Sequence, residues 1–365
     1  MMSTSADPVT PSLHKAATAC TLLLAIIGSG CSGNLASLSP RQPVTPATDN
    51  SANDTPANGE TRTPSATGIT ADPVSSDRPA SDDSSPTPAT SRPVSRPLID
   101  NILFGPARSA EHGDWRLPER TVDVRFSSAD GTRLHGWLSR ARQPRHVILF
   151  THGNGGNVSY SGDVLQTLRE KFQATCLVFD YRGYGRSRGK PTLEGVVADA
   201  AAARRYLASE TGVAEQDIIL WGHSMGGAIA IQLTQQLPPK ALILDSTFSS
   251  LRDEAAHVSP NLAWMVSRKL WNSAEVIADY TGPVFIMHGD ADRVIPWTQG
   301  RALYDAVTQH ASAAGSAADT AGPTTIPRTF VRLPGGRHNS SLWHADAVQP
   351  LDRFLRQLPR AGQKN

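Results

Sequence analysis

The stretch QDIILWGHSMGGAIAIQL, residues 216–233, decides how the rest of the chain is interpreted. An apolar run of strand length, residues 218–221, is followed by GHSMGG and then by an apolar run typical of a helix. A strand that turns into a helix through G-x-S-x-G holds its serine in a strained conformation, with the hydroxyl group above the sheet. The free N–H groups at the start of that helix then face any negative charge that forms on the substrate. The pattern therefore predicts that Ser224 is a nucleophile.

Strand and helix patterns alternate on both sides of this motif. A predicted hairpin at residues 121–138 is followed by apolar runs of strand length at 146–150, 176–180, 241–244, 284–287 and 330–333. Helical patterns cover residues 164–172, 193–210, 299–309 and 345–358. This alternation predicts an α/β fold with a mostly parallel central sheet flanked by helices. Reactive residues are expected at the carboxyl ends of its strands.

Two later strand ends carry the residue types that a serine nucleophile needs. The segment VFIMHGDADRVIP places Asp290 and Asp292 just after a strand, and VRLPGGRHNS places His338 in the loop after the last strand. A serine hydroxyl group is a poor nucleophile alone. A histidine must take its proton, and a carboxylate must orient and stabilise the imidazole ring.

Four motifs carry a resemblance to a known family: HGNGGN at 152–157, DYRGYGRSRG at 180–189, GHSMGG at 222–227 and HGDADRVIP at 288–296. Over about residues 115–358 the chain resembles the α/β-hydrolase superfamily. It is most similar to the branch of small serine hydrolases, which includes monoacylglycerol-lipase-like, serine-aminopeptidase-like and depalmitoylase-like proteins.

The resemblance implies an α/β-hydrolase fold and a role for each matching residue. Ser224 corresponds to the nucleophile, Asp292 to the acid and His338 to the base, in the chain order of that fold. Backbone N–H groups of Asn154 and Met225 correspond to the oxyanion hole. Each such donor typically contributes about 3 kcal/mol of transition-state stabilisation.

Other residues compete for the acid and base positions. Asp290 lies two residues before Asp292, and Asp245 ends the strand after the serine motif, where a few hydrolases carry their acid. The family spacing HG-x-x-D-x-x-x-P favours Asp292. His344 is close to His338 but falls at the entrance to the last helix, whereas His338 follows a Gly-Gly turn that lets its side chain project into the site.

The remaining motif residues are interpreted as structural. His152, His223 and His288 each adjoin a tight glycine turn, where packing and backbone hydrogen bonds explain them. The glycines and arginines of residues 181–189 fit neither a P-loop nor a dinucleotide fingerprint, so we expect a structural loop beside the site. Cys176 lies in an apolar strand and is expected to be a small buried side chain.

A segment at about residues 246–282 is inserted between two predicted strands. Its apolar and aromatic residues have the spacing of one amphipathic helix or two short ones, which predicts a small helical cap. Aromatic side chains over the serine would favour an acyl chain or a hydrophobic leaving group; packing onto the main domain would explain them equally well. Residues 311–325, rich in small residues, are predicted to be an exposed loop.

The first 96 residues differ in composition from the rest. Residues 1–30 resemble an export signal, and the small residues before Cys31 resemble the site where bacterial lipoproteins are lipidated, although Gly28 departs from that pattern. Ordinary secretion or a retained anchor remain alternatives. Residues 31–96 are rich in Pro, Ser and Thr and are predicted to be a disordered tether. The folded domain is predicted to cover residues 97–365.

Composition narrows the possible functions. The formal net charge is +2 and the basic residues are scattered, so nucleic acid is not an expected partner. The motifs imply neither a cofactor nor a metal. We therefore predict an exported serine hydrolase, lipid-anchored at Cys31 in a bacterial cell envelope, that cleaves an ester or thioester of a small-molecule or lipid acyl substrate. An aminopeptidase or amidase, and a non-catalytic surface lipoprotein, are the alternatives.

Overall fold

The computed structural model describes residues 96–104, 113–314 and 326–362, which belong to one compact unit. The predicted export signal, Cys31, the tether up to residue 95 and residues 315–325 lie outside the described residues. Within the described ranges, no helix combines the length and the apolar character needed to cross a membrane.

Among the described residues, eight strands form one sheet in the order β1-β2-β4-β3-β5-β6-β7-β8. Strands β1 and β2 form the predicted antiparallel hairpin, β2 pairs antiparallel with β4, and every later pair is parallel. The predicted mostly parallel sheet is thus confirmed. The strands are β1 Thr121–Ser127, β2 Arg133–Ser139, β3 His146–Thr151, β4 Ala174–Asp180, β5 Ile219–His223, β6 Leu242–Asp245, β7 Val284–Gly289 and β8 Arg328–Leu333.

Helices cover both faces of the sheet. They are α1 Arg96–Leu103, α2 Gly162–Phe172, α3 Leu193–Thr211, α4 Met225–Thr234, α5 Leu251–Val258, α6 Ser273–Ala278, α7 Trp297–Ala314 and α8 Ala345–Gln357. One apolar cluster contains residues of α1, α3, α4, α6 and α7, and a second contains residues of α2 and α8. Leu220 belongs to the first cluster and its neighbours Ile219 and Trp221 to the second, as the two-residue period of a strand requires.

Local sequence signals set the ends of the longest helix. The Thr192 hydroxyl group accepts a hydrogen bond from the N–H group of Gly195 at the start of α3. At the other end, Gly212 has a φ of +69°, and its N–H group donates to the carbonyl group of Ala208. A glycine adopts this left-handed conformation without the steric cost that a Cβ atom would add, so the helix ends there.

The insertion after β6 contains α5, a short 3₁₀ helix at Pro260–Met265, and α6. Helix α6 packs against α4 and α7, and Ile277 and Tyr280 beside it are buried in the main core. The second half of the insertion is therefore the crossover that leads into β7. Only α5 and the 3₁₀ helix are left as a small cap, and Trp264 on the latter is 45% exposed.

Two helices differ from the sequence prediction. Helix α1 occupies residues for which no element was predicted. The predicted loop at 311–325 was wrong for residues 311–314, because α7 continues through Ala314. Three of those four residues are alanines, which favour helix more strongly than other residues, and this propensity extends the helix.

Candidate active site

Ser224 occupies the sharp turn between β5 and α4. Its φ of +54° and ψ of −125° are strained for a residue with a Cβ atom. Three hydrogen bonds hold it there. Its N–H group donates to the carbonyl group of Asp245 (2.9 Å), and its carbonyl group accepts from Gly227 N–H (2.9 Å) and the Thr247 hydroxyl group (2.7 Å). These hydrogen bonds stabilise the strained backbone of the turn, and the serine side chain lies at the carboxyl end of β5.

The glycines of GHSMGG allow α4 to start unusually close to the sheet. A Cβ atom on Gly222 would collide with the backbone of Gly226 and Gly227. One on Gly226 would collide with the carbonyl group of Thr151 at the end of β3. Because these obstacles are backbone atoms, they cannot move aside as a flexible side chain could, so the spacing of the motif follows from the packing of helix on sheet.

The structure brings together the three residues predicted from separate strand ends. His338 Nε2 is 3.0 Å from Ser224 Oγ, and His338 Nδ1 is 2.8 Å from Asp292 Oδ2. All three residues are buried. Because a carboxylate only accepts hydrogen bonds, His338 Nδ1 carries the proton, and Nε2 is left to accept from the serine hydroxyl group. This arrangement can transfer a proton from Ser224 to His338.

Asp292 is held as an ionised carboxylate. Burial alone would raise its pKa, but hydrogen bonds from His288 and His338 and from the Ile295 N–H group lower it. Its Oδ1 atom accepts from the N–H groups of Val294 (2.8 Å) and Ile295 (3.0 Å). His288 Nε2 lies 3.3 Å from Oδ2. The charge that faces His338 is therefore fixed in place by several donors.

His338 is poised to act as a neutral base. Burial lowers its pKa, while its hydrogen bond to Asp292 acts in the opposite direction. An imidazole with a lowered pKa is unprotonated at neutral pH, which is the state that can accept the proton of a serine hydroxyl group.

The alternative acid and base residues have other partners. Asp290 accepts a hydrogen bond from the N–H group of Gly335 (2.7 Å) and pairs with Arg332 (3.2 Å). Asp245 lies 3.3 Å from His223. His344 precedes α8, where its side chain accepts from the N–H group of Asp346. None of these three side chains has a contact with Ser224 or His338 among the described hydrogen bonds and ion pairs.

The loop after β3 also lies against the serine. A Cβ atom on Gly153 would lie 3.2 Å from Ser224 Cβ. The Asn154 side chain is engaged elsewhere, because its Nδ2 atom donates to the carbonyl group of Leu103 (2.6 Å) and its Oδ1 atom accepts from the Tyr184 hydroxyl group (2.6 Å). A contribution of Asn154 to an oxyanion hole would therefore use its backbone N–H group. Met225 begins α4, so its N–H group has no intrahelical partner.

The Tyr181–Gly189 loop supports the loop after β3. The Tyr181 hydroxyl group donates to the carbonyl group of His152 (2.8 Å), and both Tyr181 and Tyr184 pack their rings against His152. His152 Nδ1 in turn contacts the carbonyl group of Gly153 (2.7 Å). These contacts fix the backbone that faces Ser224.

Some residues that shape the site were not singled out from the sequence. His288 was interpreted only as structural, but its ring lies 3.3 Å from the Asp292 carboxylate. The two residues are four positions apart in the HGDAD segment, and this short separation was the one feature of the sequence that could have indicated the contact. Thr247 and Asn339 had no motif signal at all. Their contacts, with the carbonyl group of Ser224 and with His223, connect distant parts of the chain.

Comparison with known proteins agrees with this architecture. A family model described as alpha/beta hydrolase fold matches residues 146–270. The alpha/beta hydrolase domain-containing protein WAV2 of Arabidopsis thaliana is 31% identical over 257 residues, which cover 65% of this chain and 78% of WAV2. The lysophosphatidylserine lipase ABHD12 of Danio rerio is 31% identical over 202 residues, 49% of this chain and 52% of that protein.

Solved structures show the same fold at lower sequence identity. The Pyrococcus furiosus esterase Pf2001 superposes with a TM-score of 0.52 and 17% identity, over 68% of this chain and 100% of that one. The chain belongs to the α/β-hydrolase family. Its fold is that of a hydrolase, and its relatives include a lipase.

Proposed function

We propose that this protein is a serine hydrolase that cleaves a carboxylic ester or thioester through an acyl-enzyme. The observation that carries the proposal is the continuous hydrogen-bond chain from Ser224 Oγ through His338 to Asp292. Its polarity is suited to the reaction, because the carboxylate is ionised, the imidazole is neutral and the serine hydroxyl group faces the free ring nitrogen.

The proposed reaction has two halves. Ser224 Oγ attacks the substrate carbonyl carbon while its proton passes to His338 Nε2, and Asp292 stabilises the resulting imidazolium. The N–H groups of Asn154 and Met225 donate to the oxyanion. His338 then gives the proton to the leaving oxygen or sulfur atom as the tetrahedral intermediate collapses. Water, with its proton taken by His338, attacks the acyl-enzyme, releases the acid and restores Ser224.

One relative supports an ester over an amide as the bond that is cleaved. It is named as a lysophosphatidylserine lipase.

A fluorophosphonate probe tests the nucleophile. We expect the wild-type protein to be labelled and Ser224→Ala to be unlabelled. Ser209→Ala, on an exposed turn of α3, is the matched control and should label as the wild type does. A folded wild-type protein that resists labelling would refute the proposal and leave the non-catalytic alternative.

Rates on p-nitrophenyl esters of increasing acyl length, compared with those on aminoacyl anilides, test the bond that is cleaved. The proposal expects higher kcat/KM on the esters. Faster hydrolysis of the anilides would instead identify an aminopeptidase or amidase.

We also propose that the protein is exported and lipid-anchored through Cys31, on the evidence of the apolar run and small residues that precede it. Radiolabelled palmitate should be incorporated into the wild-type protein in cells and not into Cys31→Ala. Equal labelling of the two proteins would contradict the anchor.

A further inference from the structure

A second histidine–aspartate pair lies beside the Ser224–His338–Asp292 chain. His223 and Asp245 are directly opposite each other in the parallel register of β5 and β6. His223 Nδ1 is 3.3 Å from Asp245 Oδ2, and the two side chains are only 16% and 8% exposed. The proposed reaction makes no use of this buried ion pair.

The partners of His223 define its protonation. Its Nε2 atom is 3.1 Å from the side-chain carbonyl oxygen of Asn339, which only accepts, so Nε2 carries a proton. Its Nδ1 atom faces the Asp245 carboxylate, which favours a proton there as well. Burial opposes a charge on the ring, but Asp245 and Asn339 outweigh it and raise the pKa of His223. These partners therefore favour the imidazolium form of the His223 ring.

This cation is close to the proposed base. The ring centroids of His223 and His338 are 5.1 Å apart, and Asn339 directly follows His338 in the chain. The titratable groups that face His223 are Asp245 from β6, Asp292 from the loop after β7, His338 from the loop after β8 and His152 from the loop after β3. The positive charge on His223 opposes a second one on His338 and lowers the pKa of that ring.

We infer that the His223–Asp245 pair is a positioning unit for His338. The pair holds the His338 loop through the contact of His223 with Asn339, and a positive charge on the His223 ring opposes protonation of His338. The inference rests on the proposed serine-hydrolase function. His223 and Asp245 touch neither the serine hydroxyl group nor Asp292 through a hydrogen bond, so they act through His338 and Asn339.

The pH dependence of kcat/KM tests the electrostatic part. His223→Gln removes the positive charge and leaves the Asp245 carboxylate unbalanced near His338. We expect the acid limb of the profile to move to higher pH by roughly 1 unit. The double variant His223→Gln/Asp245→Asn is the matched control. It removes both charges, so its acid limb should return close to that of the wild type.

Asn339→Ala tests the positioning part, because it removes the contact with the His338 loop and leaves the His223 ring beside Asp245. We expect kcat to fall about tenfold, since a displaced base transfers the proton less efficiently. The acid limb should move less than in His223→Gln, because Asp245 still favours the charge on His223. A wild-type kcat in this variant would overturn the positioning role. An unmoved acid limb in folded His223→Gln would overturn the electrostatic role.

A third measurement observes the protonation state of the His223 ring directly and leaves both His223 and Asp245 unchanged. In the Ser224→Ala protein, the NMR shifts of the His223 ring at pH 7 should be those of an imidazolium, and a neutral ring would overturn the inference. Fluorophosphonate labelling separates this outcome from failure of the proposed function. A protein that labels at Ser224 but has a neutral His223 keeps the function and loses the inference; a wild-type protein that does not label loses the function itself.

Discussion

At the scale of single residues, the site depends on a serine that is strained and a carboxylate that is restrained. Ser224 keeps a positive φ because three backbone and hydroxyl partners hold it. Asp292 keeps its charge because backbone N–H groups and two imidazole rings surround it. The reactive geometry is thus built before any substrate binds, which is the condition for efficient proton transfer and oxyanion stabilisation.

Asp292→Asn should lower kcat about 10⁴-fold, because an amide no longer holds His338 in the tautomer that can accept the serine proton. The measurement is kcat on an ester that the wild type hydrolyses. Asp290→Asn is the matched control two residues away, and should retain kcat within about threefold, because an asparagine oxygen can still accept from Gly335 N–H. A larger loss in Asp290→Asn than in Asp292→Asn would reverse the assignment of the acid.

At the scale of elements, a buried carboxyl group joins the cap to the main domain. Glu254 on α5 is 6% exposed, and its Oε2 atom accepts from Gln299 Nε2 on α7 (3.0 Å). The same Gln299 side chain accepts from the N–H group of Ser249 (3.1 Å). Burial raises the pKa of Glu254 to about 8, and the nearby charge of Asp292 acts in the same direction. The cap is therefore held with this carboxyl group protonated at neutral pH.

The free energy of unfolding should fall as the pH rises from about 4.5 towards 8. Over that window the folded protein retains a proton on Glu254 that the unfolded chain has lost, so alkali favours the unfolded state. The expected loss from this group is roughly 5 kcal/mol, complete above its folded pKa.

Urea denaturation of Glu254→Gln across the same pH range measures this contribution. The glutamine keeps an oxygen that accepts from Gln299 and cannot ionise, so most of the loss should disappear. Glu275→Gln, at the exposed start of α6, should keep the wild-type dependence. Parallel curves for Glu254→Gln and wild type would show that the carboxyl group is not protonated in the folded protein.

At the scale of the whole molecule, helix α1 is connected to the edge of the sheet that carries Ser224. The carbonyl group of Leu103 at the end of α1 binds the Asn154 side chain, and Asp100 Oδ1 accepts from the N–H group of Leu193 at the start of α3 (3.0 Å). Phe104 packs edge-on against Tyr184 at a centroid distance of 6.5 Å. Helix α1 therefore braces the loop that faces Ser224.

Deletion of residues 1–95 should leave kcat on a soluble ester unchanged, because the described contacts of the site lie within residues 96–362. Deletion of residues 1–104 should lower kcat about tenfold, since Asn154 then loses its acceptor and the backbone facing Ser224 loses its support. Equal kcat values for the two truncated proteins, both folded by circular dichroism, would show that α1 plays no part in the site.

Much of this molecule was predictable because its signals are local in the chain. Buried parallel strands appear as continuous apolar runs, and the serine motif appears as one hexapeptide. The order of strands then places Asp292 and His338 at the same edge of the sheet as Ser224. The direction of the Asn154 side chain was not predictable, because its partners at Leu103 and Tyr184 are 51 and 30 residues away.

The sequence by itself determined the fold family, the mostly parallel sheet and the three residues that meet at its carboxyl edge, since each depends on periodicity or on a motif within one short segment. The family spacing favoured Asp292 as the acid but left Asp245 and Asp290 as alternatives, and the tertiary structure decided which aspartate pairs with which histidine. Asp245 ends a buried strand and Asp292 follows one, and they differ in the side chains that neighbouring strands and loops bring to them. Asp245 pairs with His223 because the register of the adjacent strands places the two residues opposite each other. Asp292 pairs with His338 because the loops after β7 and β8 pack together, although the two residues are more than 40 positions apart in the chain.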